Sequence, residues 1–414
     1  MAQTIRGFRD ILEPDAAAFS ELENLCRRIF RLYGYSEIRL PTVEQRELFV
    51  KSTGDTTDIV EKEMYAFADA GGRLLALRPE GTPGVVRAYM ENGLPATDQR
   101  RKLFYIGSMF RAERPQAGRY REFEQIGAEY IGNPDPSADA ETILLLAELL
   151  KAAGIREMKL ELNSIGCPQC RPAHRQALLD YLKDHLEELC ENCKKRLERN
   201  PLRALDCKAD GPKLVAQAPA MKYCPDCDAH FAQVRRHLDN AGQAYNINPN
   251  LVRGLDYYSR TVFEFRAGGI GSQDAIAAGG RYDSLIKSMG GPDVAAVGWA
   301  LGADRVLVGA YQDDTGAYNA GAVYLFSTNG TLLTTLTNPA REAGDCFGRS
   351  VAALGTDRVL VGADSDDLPG SFDAGAAYLF GTDGALLATF TKPEPAAQDY
   401  FGYSLTTVGT GRVL

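Results

Sequence analysis

Two arginine-bearing runs carry the clearest chemistry in this chain of 414 residues. The first is Tyr105-Ile-Gly-Ser-Met-Phe-Arg111-Ala-Glu113-Arg114-Pro-Gln-Ala-Gly-Arg119-Tyr120, the second Leu251-Val-Arg253-Gly-Leu-Asp256-Tyr257-Tyr258. A guanidinium presents a planar fork of N–H donors that matches phosphate oxygens through paired, charged hydrogen bonds. Two further runs, Arg78-Pro-Glu80-Gly-Thr82 and Glu122-Phe-Glu-Gln125-Ile-Gly-Ala-Glu129, supply acceptors. Strand alternation puts Gln125 and Glu129 on one face. Carboxylates suit an amine, and a carboxylate with a phenol can read both nitrogens of an imidazole. A second chemistry lies in the cysteines, seven of whose nine fall between 167 and 227, mostly as Cys-x-x-Cys pairs. With no export signal in the sequence, that spacing suggests metal before disulfide.

The elements that must position these groups follow from periodicity. Residues 15–33 read as a helix through Phe19, Leu22, Leu25, Cys26, Ile29, Phe30 and Tyr33, stopped at Gly34. Residues 35–40 alternate as a strand ended by Pro41, 73–78 as a strand, and 82–92 as a helix. Residues 102–109 and 120–131 read as two strands joined by the Arg/Pro/Gly loop, 139–153 as an apolar helix and 158–163 as a strand. Residues 166–242 are helical, charged and cysteine-bearing, an inserted subdomain. Strand texture returns at 244–252, 261–266 and 275–278. Helices around one sheet predict an α+β body made of residues 1–165 and 243–300.

Taken together these runs resemble the catalytic region of histidyl-tRNA synthetases, a class II aminoacyl-tRNA synthetase family, over residues ~3–305. Tyr35-Ser-Glu-Ile-Arg-Leu-Pro41 is similar to the family's motif 1, a dimer-interface element, and the Arg111 run to motif 2. The resemblance implies an antiparallel sheet flanked by helices. It implies that Glu80, Thr82 and Gln125 hold the histidine amine, while Glu129 and Tyr258, with Tyr257, grip the imidazole. A pocket pairing both ring nitrogens rejects analogues that lack them. It also implies that Arg111 and Arg253 are catalytic, Arg253 acting on the α-phosphate as adenylate forms. Glu113 would take the adenine amino group, and Arg119, Arg121 and the motif 3 Arg305 further phosphate oxygens, with Mg²⁺ bridging them. The implied activity is histidine–tRNA ligation: histidine and ATP give histidyl-adenylate, whose acyl group passes to tRNA(His). The implied partners are these substrates and a second copy in a homodimer. A different class of reading is a non-catalytic paralogue acting as regulatory subunit of ATP phosphoribosyltransferase; Arg111, Arg253, Glu129 and the full-size insert argue against it.

After residue 301 the texture changes. Leu301–Ala310 recurs as Leu354–Ala363, Ala320–Phe326 as Ala374–Phe380, and Cys346-Phe-Gly348 as Tyr400-Phe-Gly402. A third copy begins at Val408. These units are similar to FG-GAP blades of β-propellers, so 301–414 reads as an incomplete all-β repeat tail in place of the family's anticodon-binding domain, with the tRNA step impaired. An adhesion-type propeller would need more blades and export. Leu301–Arg305 belongs to both resemblances, which marks a junction near Leu301. The Asp364–Asp373 segment faintly resembles a calcium loop.

Net charge is −9. The tail carries 6 Lys/Arg against 13 Asp/Glu, so it is a poor nucleic-acid surface, while the rest is nearly balanced. No run approaches the length of a membrane span, and the start lacks a signal sequence, so a cytoplasmic protein is expected. In the insert, two antiparallel helices over 171–189 and 228–241 would gather Cys190, Cys193, Cys224 and Cys227 at a distal tip as a Cys₄ zinc site, leaving Cys167 and Cys170 at the base. His174, His185, His230 and His237 read as solvated residues on the insert helices.

Overall fold

A computed structural model describes residues 3–12, 15–54, 57, 59–97, 100–113, 120–155, 158–197, 201–205, 207, 210–214, 217–267, 275–304, 322–326, 332–340, 345–354, 358–368, 370–403, 405, 407–408 and 412–413. They fall into two compact units, Met1–Leu307 and Val308–Leu414.

The first unit opens with helix α1 (Asp15–Leu32), strands β1 (Ser36–Glu37) and β2 (Val43–Gln45), and helix α2 (Arg46–Thr53). Strands β3 (Ala66–Ala68) and β4 (Leu74–Leu77) and helices α3 (Thr82–Glu91) and α4 (Leu94–Thr97) lead to the long hairpin β5 (Arg101–Phe110) and β6 (Glu122–Ile131). Helix α5 (Pro136–Ala152) and β7 (Met158–Ser164) precede the insert, whose helices are α6 (Arg171–Asp184), α7 (Glu191–Arg196), α8 (Gly211–Leu214) and α9 (Pro225–Asn240). The chain returns through β8 (Asn246–Ile247), β9 (Ser259–Ala267), β10 (Ala275–Arg281), α10 (Leu285–Ser288) and β11 (Ala296–Gly302).

Eight strands form one sheet in the order β1-β5-β6-β11-β10-β9-β7-β8, antiparallel except for its two outermost pairs. Strands β2, β4 and β3 form a small second sheet. Register divides the large sheet's faces. Phe104, Ala128 and Trp299 share one row, on the face covered by α1 and α5. Phe30 of α1 stacks on Phe104 at 4.2 Å, and the Trp299 indole N–H donates to the Thr142 carbonyl of α5 at 3.1 Å. Gln125, Gly127 and Glu129 of β6 therefore point to the opposite face, with Tyr105 of β5 and Glu264 of β9. Helix α3 packs there through Val85, Val86 and Tyr89. Helix α5 starts cleanly because Asp135 caps Ser137 N–H at 2.8 Å and Pro136 takes the first turn.

The long expected elements match the observed ones, but two strands shrink. The 35–40 strand is reduced to β1, and 244–252 to β8. In the latter, Pro249 has no N–H to pair and the Asn248 side chain accepts from Asn250 N–H at 3.1 Å, turning the chain. At the expected junction, Leu301 and Gly302 lie inside the body sheet, paired with Ile126 and Gln125. Ala303 and Asp304 then turn helical, and Asp304 is tied to Arg9 at 2.6 Å and to Glu124 N–H at 3.1 Å. The described part of Leu301–Ala310 thus follows the body rather than the repeat.

The insert has its own small core of Leu178, Leu182, Leu189, Leu197, Leu205 and Leu214. His174 and His230 are buried, contrary to the solvated reading. His174 bonds the Pro219 carbonyl at 2.9 Å, and His230 lies 3.3 Å from the Asp139 carboxylate, fastening α9 to α5.

In the second unit, β12 (Ala322–Phe326) pairs with β13 (Leu332–Thr337). Strands β14 (Ser350–Leu354), β15 (Arg358–Ala363), β16 (Ala376–Gly381) and β17 (Leu386–Phe390) form a four-stranded antiparallel meander. Its core gathers Leu336, Phe347, Val361, Tyr378 and Phe380. Asp366 of the suspected calcium loop is buried, accepting from Tyr378 and from Asn338. A last short pair joins β18 (Thr407–Val408) and β19 (Arg412–Val413). Among the described residues no helix is long and apolar enough to cross a membrane.

Candidate active site

The expected acceptors converge on the sheet face opposite α1 and α5. Glu129 is fully buried between two hydroxyls: Thr82 at the start of α3 donates at 2.6 Å, and Tyr282, just past β10, donates to the other oxygen. Glu80 is buried and receives the Tyr257 phenol at 2.9 Å, while its second oxygen has no partner. Gln125 donates to the Tyr105 phenol at 3.1 Å, and its carbonyl oxygen is likewise buried without a partner.

Missing side chains make the room. Gly298 of β11 sits opposite Glu129, and a methyl there would lie 1.8 Å from the Glu129 carboxylate. Gly127 leaves space for the Tyr105 ring, which a methyl would meet at 2.3 Å.

Burial dominates the electrostatics. It pushes the Glu129 carboxyl up to about 8, against the pull of the Thr82 and Tyr282 hydroxyls and with a further push from Glu80. It pushes Glu80 up to about 7, against the Tyr257 hydroxyl and the Arg111 charge. Two such acids in an apolar cup strongly favour a cation, which restores their charge.

Two guanidiniums stand at the rim. Arg111 donates through Nε to the Pro79 carbonyl at 2.9 Å, lies over the Phe123 ring at 5.4 Å, and is close enough to Glu80 to lower its pKa. Arg253 pairs with Glu264 at 2.8 Å and lies 5.9 Å from the Tyr258 ring centre. Burial raises the Tyr258 phenol to about 12 against the pull of Arg253, with Glu80 and Glu129 pushing the same way as burial. Arg253, Glu80 and Glu129 thus act on the Tyr258 hydroxyl, and Arg111 acts on Glu80. The geometry joins a double acidic pocket to a cationic rim, fit for an amino acid whose carboxylate meets a polyphosphate.

The remaining expected residues divide. Glu113 is half-buried, 3.9 Å from Arg111, and Arg121 donates to the Glu113 and Arg6 carbonyls, each at 3.2 Å. Arg119 and Arg305 lie outside the described residues. Sequence reading missed Tyr105, Glu264 and Tyr282. Glu264 was detectable as a lone acid between Phe263 and Phe265 on an apolar strand, and it also holds Arg266 at 2.8 Å. Arg281, next to Tyr282, turns away from the cup: it is fully buried and bonded to Asp139.

The expected cysteine set is corrected. Cys190 and Cys193 do not meet Cys224 and Cys227. Instead Cys167, Cys170, Cys224 and Cys227 form one group, and Cys190, Cys193, Cys207 and Asp210 another. Residues between α6 and α9 fold back to the base, so Cys170 and Cys224 both stand at helix N-termini, side by side. The simple antiparallel pair assumed from sequence ignored that return.

The family model described as histidyl-tRNA synthetase matches residues 7–306, and that of the FG-GAP repeat matches 331–380. The chain is 60% identical over 307 residues to the histidine–tRNA ligase of Elusimicrobium minutum, covering 74% of each protein. It is 53% identical over 311 residues to that of Geobacter sulfurreducens, covering 74% of this chain and 75% of the relative. Among solved structures, the apo histidyl-tRNA synthetase of S. aureus superposes with a TM-score of 0.61 at 34% identity, covering 75% of this chain and 73% of that one.

Proposed function

The chain belongs to the histidyl-tRNA synthetase family, and from that premise we propose how its cup performs histidine–tRNA ligation. The histidine ammonium sits against Glu80, Gln125 and Thr82. The observation that carries this is the pair of buried, unpartnered acceptors, Glu80 Oε1 and Gln125 Oε1, which cost stability until a ligand donor reaches them. Glu129 and Tyr258 read the imidazole, with Tyr282 fixing the Glu129 carboxylate from behind and Tyr257 fixing Glu80. ATP enters as its magnesium salt. A histidine carboxylate oxygen attacks the α-phosphorus, the bond to pyrophosphate breaks, and Arg253 with Arg111 stabilises the charge on the phosphoryl oxygens. Glu264 holds the Arg253 fork in place. Glu113 receives the adenine amino group, and Arg119, Arg121 and Arg305 complete the phosphate contacts. The tRNA(His) terminal hydroxyl then attacks the acyl carbon of the adenylate, loses its proton, and takes the acyl group as the bond to AMP breaks and AMP leaves. The chain works as a cytoplasmic homodimer, with the body formed by residues 1–165 and 243–300 carrying the chemistry.

Histidine-dependent exchange of pyrophosphate into ATP tests this reading. Exchange is expected with histidine and with no other amino acid; histidine binding without exchange would point instead to a regulatory subunit.

A further inference from the structure

We propose that the insert holds two zinc ions in separate closed sites, one of which fixes a wall of the histidine pocket. Cys167 Sγ lies 3.7 Å from Cys170 Sγ and 3.9 Å from Cys224 Sγ, and all four ligand atoms of the base group, Cys227 included, lie within 4.8 Å of one another. A zinc ion with bonds of about 2.3 Å to four sulfurs sets tetrahedral edges of about 3.8 Å. None of these cysteines is in a disulfide. The Cys224 N–H donates to Cys170 Sγ at 3.2 Å, the kind of bond that supports a sulfur carrying negative charge. Gly166, at φ 67°, turns the chain into this knuckle where any side chain would collide with Cys170.

The tip group repeats the pattern with one oxygen. Cys190 Sγ lies 3.8 Å from Cys207 Sγ, and Cys193 and Asp210 complete a set within 4.8 Å. Asp210 is buried and accepts from Cys190 N–H at 3.0 Å, which orients its carboxylate. Closed sets of four thiolates, or of three with a carboxylate, select zinc among common divalent ions. The insert also needs such staples: α7 and α8 are only 6 and 4 residues long, and the core is a handful of leucines.

The two sites differ in what they hold. The base site lies where the insert leaves the body, beside the start of α9. Ile165 N–H donates to the Arg260 carbonyl at 2.8 Å, Arg260 N–H to the Gly166 carbonyl at 2.9 Å, and Tyr223 to the Ser164 carbonyl at 2.9 Å. Tyr258 is two residues before Arg260. Pro168 and Arg171, flanking Cys170, line a cavity of about 220 Å³ together with Asp256, Tyr257 and Tyr258. Among the described residues, none of the tip group lines that cavity.

Metal analysis of the full-length chain, purified without chelator, tests the proposal. Two equivalents of zinc per chain are expected, with Cys227→Ser and Cys193→Ser each losing one. Loss of the base ion raises the histidine KM in pyrophosphate exchange about tenfold, whereas loss of the tip ion changes it by less than about twofold. Should a variant fail to fold, Co²⁺ titrated into the zinc-stripped wild-type chain decides. Sulfur-to-metal charge-transfer absorbance should rise linearly to two equivalents. A plateau at one equivalent or fewer, a zinc content of one or fewer, or equal effects of both variants on the histidine KM overturns it. Zinc content is read without catalysis, so it stands even if the ligase reading fails.

Discussion

At the scale of single residues, the cup sets acids that prefer to be neutral against a ligand that is positive. Raised to about 8, Glu129 is mostly protonated at neutral pH without ligand, and Glu80, raised to about 7, holds its proton about half the time. Histidine binding must expel those protons, so affinity should fall as pH drops from about 8 to about 6. Calorimetry in buffers of different ionisation heat should register proton release on binding, smaller in Glu129→Gln; binding without proton exchange would contradict the assigned pair. The stability sign is opposite. A folded pKa raised above the ordinary 4.5 means the fold holds these protons more tightly than the unfolded chain, so the unliganded protein should lose stability as pH rises from 4.5 toward 8. Glu129→Gln should flatten that loss in thermal melts and raise the histidine KM by about 10- to 100-fold. The runs that carry Arg111, Glu80, Gln125, Glu129 and Arg253 were legible through their resemblance to a known family. Tyr282 was not, because its role depends on β10 ending beside β6's neighbour, a relation of strand order that spacing along the chain does not carry.

Elements place these residues through register. Glu129 faces Gly298 across β6 and β11, and Trp299 one residue on plugs the opposite face against α5. A one-residue slip would bury the tryptophan in the cup and expel the carboxylate. Gly298→Ala should therefore cost about 1–3 kcal/mol in chemical denaturation and raise the histidine KM, since its methyl meets both Glu129 and the Ala128 carbonyl. A variant with unchanged stability and KM would mean that the strands yield. The helix at 15–33 and the hairpin around Arg111 were readable because each buries a face of its own at a regular period. The cysteine partners were not: they depend on the route of short segments such as α7 and α8, whose few residues carry no period. The short strands β1 and β8 were overestimated because alternation continued past the point where pairing stopped.

On the scale of the whole molecule, a synthetase body is joined in one chain to FG-GAP-like strands. Strand β17 of the meander exposes Leu386, Leu387 and Phe390. An apolar, lightly covered strand invites pairing with other chains, so Phe390→Lys should reduce aggregation on warming, read by light scattering. A faster rise in scattering would locate the liability elsewhere. The acidic balance of residues 301–414 makes that segment a poor nucleic-acid surface. All of this rests on the acidic pocket and the two arginines forming one catalytic cup. Histidine-dependent pyrophosphate exchange by the wild-type chain and by Arg253→Ala measures that most directly. The wild type should exchange, and the variant, with unchanged circular dichroism and histidine affinity, should fall by about a hundredfold or more. Near-normal exchange by Arg253→Ala, or none by a wild type that binds histidine, would contradict it.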